Sequence, residues 1–60
     1  MGDAGYYARQ ARDYADEAYD FAKKAYNASD LEIAKSYAKK AMDAAEEASY
    51  AARKAENKAE

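Results

Sequence analysis

The sequence predicts an all-α fold, a single domain of residues 1–60 in which two helices form an antiparallel hairpin. Alanine recurs at alternating spacings of four and three residues in two runs, Ala4 to Ala25 and Ala34 to Ala59. This spacing places one apolar stripe along each helix. Proline is absent and Ile33 is the only β-branched residue, so little in the chain competes with helix formation. The two runs are mirror images about Ala28, which favours antiparallel packing.

The mirror relation predicts which alanines meet across the hairpin. The expected pairs are Ala4 with Ala52, Ala8 with Ala48, Ala11 with Ala45, Ala15 with Ala41, Ala18 with Ala38 and Ala22 with Ala34. In heptad notation, position a holds Ala8, Ala15, Ala22, Ala38, Ala45 and Ala52, and position d holds Ala11, Ala18, Ala25, Ala34, Ala41, Ala48 and Ala55. Each a residue then meets a d residue, as in an antiparallel coiled coil, so we expect the seam between the helices to consist of alanine.

The first helix is predicted over about residues 4–26. Asp3 precedes the alanine run and is the expected N-cap, while Gly5 favours fraying of the first turn. Asp20 lies three and four residues before Lys23 and Lys24, a spacing that favours ion pairs on an exposed helix face.

A short turn at residues 27–29 is expected to join the helices. Asn27 can adopt the left-handed conformation that ends a helix, and Ser29 with Glu32 matches a capping box for the next one. The second helix is predicted over about residues 30–57. Residues 56–60 have no counterpart before residue 1, so we expect the last turn to be frayed.

Aromatic side chains flank the predicted seam and supply the apolar area that alanine lacks. At position g the expected contacts are Tyr7 with Ala51, Tyr14 with Ala44 and Phe21 with Tyr37. At position e, Tyr19 is expected to cover Lys35 and Met42 to lie near Arg12; Leu31, Ile33 and Tyr26 are expected to close the turn end. Tyr6 and Tyr50, at position f, are the two rings that this arrangement does not explain.

A repeat of thirty residues underlies the hairpin. When residues 1–30 are laid on 31–60, all seven alanines of the first run match, as do Tyr7 with Tyr37 and Asp13 with Asp43. The repeat indicates that one helix was duplicated, or that both were written from one template by design or consensus.

The residues that most catalytic and metal sites need are missing. The chain has no Cys and no His, and Ser29, Ser36 and Ser49 have no base partner. Carboxylate pairs at helical spacing, such as Asp13 with Glu17, fall at positions b, c and f, which point to water. We therefore expect no catalytic, cofactor-binding or metal-binding residue and no enzymatic activity.

Charge and hydropathy narrow the range of partners. Acidic and basic residues are interspersed and give a net charge of −2, so there is no basic face for a nucleic acid. No apolar run is long enough to span a membrane, and the first residues lack the apolar core of a signal peptide. We expect the chain to be either a cytoplasmic protein or a soluble recombinant protein.

The alanine seam resembles the Alacoil, a close antiparallel coiled coil with alanine between its helices. The phrases at residues 14–19 and 21–30 are also similar to uncharacterised Ala/Tyr-rich helical hairpins of bacterial proteins, and to a de novo or consensus design of one. Plasmid copy-control hairpins of the Rop type are similar in length but place leucine opposite alanine. This chain departs from that pattern at every layer, which argues against a Rop-like dimer and an RNA-binding role.

Two functional hypotheses follow. The first is a structural, non-catalytic hairpin, which predicts that Ala15→Leu separates the helices and destabilises the monomer. The second is a helix-binding or self-association module that uses an exposed Tyr/Ala surface. A homodimer through the Tyr-rich face is left open under this hypothesis. A hairpin that opens on anionic membranes is disfavoured by the low hydrophobicity of alanine and the acidic balance.

Overall fold

Two α-helices packed side by side make up the fold in a computed structural model that describes residues 2–58. Helix α1 spans Gly2–Asn27 and helix α2 spans Leu31–Lys58. Phe21 contacts Tyr37 near the turn, and Lys54 contacts Tyr7 at the far end. The helices are therefore antiparallel over their whole length, as the sequence predicts, and the hairpin is 45 Å long.

Both helix starts differ from the predictions. Helix α1 already includes Gly2, so Asp3 lies within the first turn and is not the N-cap; Gly5 is helical as well. The carboxylate of Asp3 still lies where the helix dipole favours negative charge. Helix α2 reaches Lys58, so residues 56–58 are helical where fraying was expected; the expected fraying of Ala59 and Glu60 lies outside the described residues.

The turn consists of Ala28, Ser29 and Asp30, one residue later than predicted. No residue of the described chain has a positive φ, so Asn27 does not adopt the left-handed conformation expected of it. Helix α1 instead ends with a tightened turn, in which the Ala28 N–H donates to the Ala25 carbonyl at 3.3 Å. The Asp30 carbonyl accepts the first bond of α2, from the Ala34 N–H at 2.9 Å. Asp30 is therefore the N-cap residue, a place that the predicted capping box gave to Ser29.

The seam between the helices is rotated from the predicted one. The alanines at position d are half-buried as expected, whereas those at position a, including Ala8, Ala15 and Ala22, are exposed. The side chains at position g take their place. The packed seam thus combines positions d and g and consists of Ala4, Tyr7, Ala11, Tyr14, Ala18, Phe21 and Ala25 on α1 and Ala34, Tyr37, Ala41, Ala44, Ala48, Ala51 and Ala55 on α2.

Large and small residues alternate across the packed seam. Ala51 and Ala44, the expected partners of Tyr7 and Tyr14, are the most buried residues of the described chain, at 4% and 6% exposure. The predicted contact of Phe21 with Tyr37 is confirmed as a stacked pair of rings. Position g is therefore part of the core, because it holds the rings that can fill the space above an alanine.

The side chains expected to pack at position e and at the turn are exposed. Tyr19 and Met42 are 66% and 63% exposed, and Lys35 and Arg12 are exposed too, so the predicted pairs of Tyr19 with Lys35 and of Met42 with Arg12 are not buried. Tyr26, Leu31 and Ile33 are 89%, 69% and 49% exposed and do not close the turn end. The rotation toward position g turns position e, with Tyr19, Tyr26 and Met42, and position a, with Leu31, away from the neighbouring helix.

Candidate functional site

Two places on the hairpin carry side chains in an arrangement that packing of the seam does not explain. One is a groove near the free ends of the helices. The other is a long apolar surface formed by positions a and e of both helices. In an antiparallel pair of helices, a given flanking heptad position lies on the same side of the pair in both helices. Positions a and e of α1 and α2 therefore share one face of the molecule.

The groove has a volume of about 140 Å³ and lies beside the packed seam. It is lined by Tyr7, Gln10, Tyr14, Glu47, Tyr50, Ala51 and Lys54. The small side chain of Ala51 leaves the space, and the larger side chains stand around it. Its lining includes Tyr50, one of the two rings that the predicted arrangement left unexplained.

Lys54 connects the two helices at the groove. Its ammonium nitrogen lies 4.8 Å from the centre of the Tyr50 ring and 5.4 Å from that of Tyr7, both within the range of cation–π attraction. The pKa of Lys54 is raised above 10.5, chiefly by a hydrogen bond to Tyr50. The negative charges that Tyr50 and Tyr7 acquire on ionisation raise it further. The groove therefore holds its positive charge throughout the neutral range.

Tyr6, the other unexplained ring, packs beside the groove. Its ring lies 5.3 Å from that of Tyr7 in an edge arrangement, at an interplanar angle of 68°. Its hydroxyl accepts a hydrogen bond from the Gln10 side-chain amide at 3.2 Å. These contacts are local to one helix, so Tyr6 extends the aromatic wall without joining the seam.

A second group of aromatic and basic residues lies toward the turn. The ammonium nitrogens of Lys24 and Lys40 lie between 5.8 and 6.0 Å from the rings of Phe21 and Tyr37. Lys24 was expected to pair with Asp20, but among the described residues the only ion pair within 4.0 Å joins Arg12 and Asp13, at 3.5 Å. The lysines here cover aromatic carbon rather than neutralise acids.

The apolar surface on the a and e side is the larger feature, and we call it the open face. It consists of Ala8, Arg12, Ala15, Tyr19, Ala22 and Tyr26 on α1 and Leu31, Lys35, Ala38, Met42, Ala45, Ser49 and Ala52 on α2, all of them exposed. Its large apolar side chains are Tyr19, Tyr26, Leu31 and Met42. The sequence predicted that these side chains would pack beside the seam or at the turn end. The ammonium of Lys23 lies 5.8 Å from the Tyr19 ring and borders this surface.

Charged residues of alternating sign border the open face at position b. Along α1 they are Arg9, Asp16 and Lys23, and along α2 they are Glu32, Lys39, Glu46 and Arg53. All seven are exposed. An apolar surface with a polar border is the usual form of a site that packs against another protein.

The carboxylates do not gather into a metal site. Within the described part of the chain, no group of three or more acidic side chains lies close enough to hold a metal ion. The residues that the structure does bring together are aromatic and basic. The open face could have been found from the sequence only by placing the seam at positions d and g from the start.

Neither helix of the described chain is long and apolar enough to cross a membrane. No family model matches the chain, and neither a curated protein nor a solved structure is similar to it at a significant level.

Proposed function

We propose that this protein is a structural, non-catalytic hairpin that works by packing its open face against another helical surface. The observation that carries this proposal is the exposure of Tyr19, Tyr26, Leu31 and Met42 on one side of the molecule. Monomeric domains expose single apolar residues often, but four large apolar side chains on one face of a two-helix hairpin are typical of an interface.

Energetic considerations support this function. Full burial of a Leu or Met side chain is worth roughly 1.5–3 kcal/mol, and a domain of this size has little other apolar area to bury. The packed seam brings only Ala44 and Ala51 below a tenth of their full exposure. Contact of the open face with a second helical surface would therefore add a large share of the total apolar burial.

Alanine at position a makes the open face suitable for helices in particular. Ala15, Ala22 and Ala38 leave shallow depressions between the larger side chains of position e, into which the side chains of another helix can fit. We infer that the close packing of an Alacoil occurs twice: along the d alanines within the hairpin and along the a alanines against a partner. The thirty-residue repeat supports this inference, since both helices carry the same two stripes.

A comparison of Tyr19→Lys with Tyr6→Lys tests the proposal. Both rings are exposed to a similar degree, 66% and 59%, but Tyr6 lies on the other side of the molecule. We expect the monomer to bind an apolar fluorescent dye such as anilinonaphthalene sulfonate. Of the two variants, only Tyr19→Lys should abolish that binding. Where the wild type is already assembled, Tyr19→Lys should dissociate it and Tyr6→Lys should not. Equal dye binding and equal assembly in both variants would overturn the proposal.

A further inference from the structure

We propose that the surface that packs against the open face is the open face of a second copy, in a four-helix assembly with both turns at the same end. This inference rests on the proposed function and names the partner. Three observations carry it: the area that the chain exposes, the sizes of the side chains on the open face, and the order of the charges along its border.

The exposed area is larger than that of a compact monomer. The chain exposes 4749 Å², whereas a monomer of its mass of 6.6 kDa typically exposes about 3,900 Å². The excess of about 850 Å² is close to the roughly 800 Å² that each partner buries in a stable interface of standard size. One contact between two open faces is therefore sufficient to remove the excess.

The side chains of the open face are complementary to those of a second copy. When α1 of one copy lies antiparallel to α2 of the other, position e on one helix meets position a on its neighbour. With the helices at the same level, Tyr19 meets Ala38 of the second copy and Met42 meets Ala15. Tyr26 then meets Leu31 at the turn. The remaining charged residues, Arg12 and Lys35, lie over Ala45 and Ala22, so their stems can be buried while their charges reach water.

The charges at position b fit the same alignment. It pairs Arg9 with Glu46, Asp16 with Lys39 and Lys23 with Glu32, opposite charges in each case. Position b lies away from the seam within one hairpin, so packing of a single chain does not require this order. Exposed ion pairs add little affinity, but they select the partner and the alignment.

Several other arrangements of two copies bring like charges together. A slide of seven residues places Arg9 beside Lys39. An arrangement with the turns at opposite ends, and α1 beside α1, places Asp16 beside Asp16 of the second copy. A further slide of about seven residues in that arrangement pairs Arg9 with Asp16, but it separates Tyr26 from Leu31. The alignment at the same level is the one that combines opposite charges along both contacts with contact between Tyr26 and Leu31. It requires a two-fold axis parallel to the helices, which puts the two turns side by side.

A charge reversal tests the partner and the alignment. We expect sedimentation equilibrium to show a dimer for the wild type and association roughly tenfold weaker for Asp16→Lys. Adding Lys39→Asp to that variant should restore association, which a purely local effect of residue 16 would not. Glu17→Lys is the control, because it makes the same change of charge at an adjacent residue that does not border the open face.

A distance between labels tests the position of the turns. The chain has no cysteine, so Ser29→Cys allows one nitroxide to be attached at the exposed turn. In the proposed dimer the two labels lie side by side, whereas turns at opposite ends would separate them by about the 45 Å length of the hairpin. The longer distance, or no rescue by Lys39→Asp, would overturn the inference. A monomer at every concentration would overturn it too, and would leave the proposed function intact if Tyr19→Lys still abolished dye binding.

Discussion

The rings of Phe21 and Tyr37 stack across the two helices, with their centres 6.2 Å apart and their planes 26° from parallel. Both side chains are half-buried, and they form an aromatic ring pair that joins α1 to α2. In a hairpin whose other seam residues are mainly alanine, this pair supplies much of the apolar area that holds the turn end together.

Removal of either ring should therefore destabilise the hairpin. We expect Phe21→Ala to lower the free energy of unfolding by roughly 2 kcal/mol, less than for a fully buried ring because Phe21 is half-exposed. Urea unfolding followed by circular dichroism measures the change. Tyr26→Ala is the matched control at low protein concentration, where the hairpin is monomeric, since Tyr26 is then exposed and should change stability by about 0.5 kcal/mol or less. A control effect as large as that of Phe21→Ala would contradict the seam described above.

The rotated seam makes opposite predictions for two neighbouring alanines. Ala18 is half-buried at position d and Ala15 is exposed at position a. Ala18→Leu should cost about 1–3 kcal/mol, because the added atoms must separate the helices. Ala15→Leu should leave the unfolding of the dilute hairpin nearly unchanged, contrary to the expectation from the sequence. Thermal unfolding at low protein concentration separates the two variants, and a larger loss for Ala15→Leu would restore the predicted seam.

This difference shows where prediction from the sequence ends. The helices follow from the alanine content, which acts locally, and their bounds fall close to the expected ones, although Asp3, Asn27 and Ser29 do not take the capping roles expected of them. Alanines at a and d are chemically alike, however, so their pattern alone does not say which stripe faces the partner helix. The large rings at position g decide it. Phe21 and Tyr37 gain more from burial than Ala15 and Ala38 do, and the helices rotate to bury them.

The open face follows from the same competition. A two-helix seam is wide enough for two of the heptad positions, and once d and g are buried, a and e remain outside. The sequence predicted that Tyr19 and Met42 would pack beside the seam, because a single hairpin offers each helix only one neighbouring helix. Whether a second helical surface supplies that cover depends on a partner, which the pattern of one chain does not specify.

Asp30 is expected to stabilise the start of α2 more than Ser29 does. Its backbone holds the N-cap position, and its carboxylate lies where the helix dipole favours negative charge. Because the carbonyl is kept on substitution and the carboxylate is lost, we expect Asp30→Ala to lower the free energy of unfolding by about 0.5–1 kcal/mol, and Ser29→Ala to lower it by less. Chemical denaturation of both variants tests this. If Ser29→Ala had the larger effect, the capping box would be the better description of the turn.

Lys54 is expected to make the stability of the groove end depend on pH in the alkaline range. Because its pKa is raised above 10.5 in the folded protein, chiefly by the hydrogen bond to Tyr50, the folded state binds this proton more tightly than the unfolded state. The stabilisation is therefore fully present below pH 10.5 and is lost as the pH rises through the raised pKa. Unfolding of the wild type and of Lys54→Met, compared at a series of pH values, isolates this contribution from that of the other lysines and tyrosines. The difference between the two proteins should be constant from neutral pH to about pH 10 and then shrink. A difference that widens as the pH rises above 10.5 would mean that the neutral amine, not the ammonium, is the form that the folded hairpin prefers.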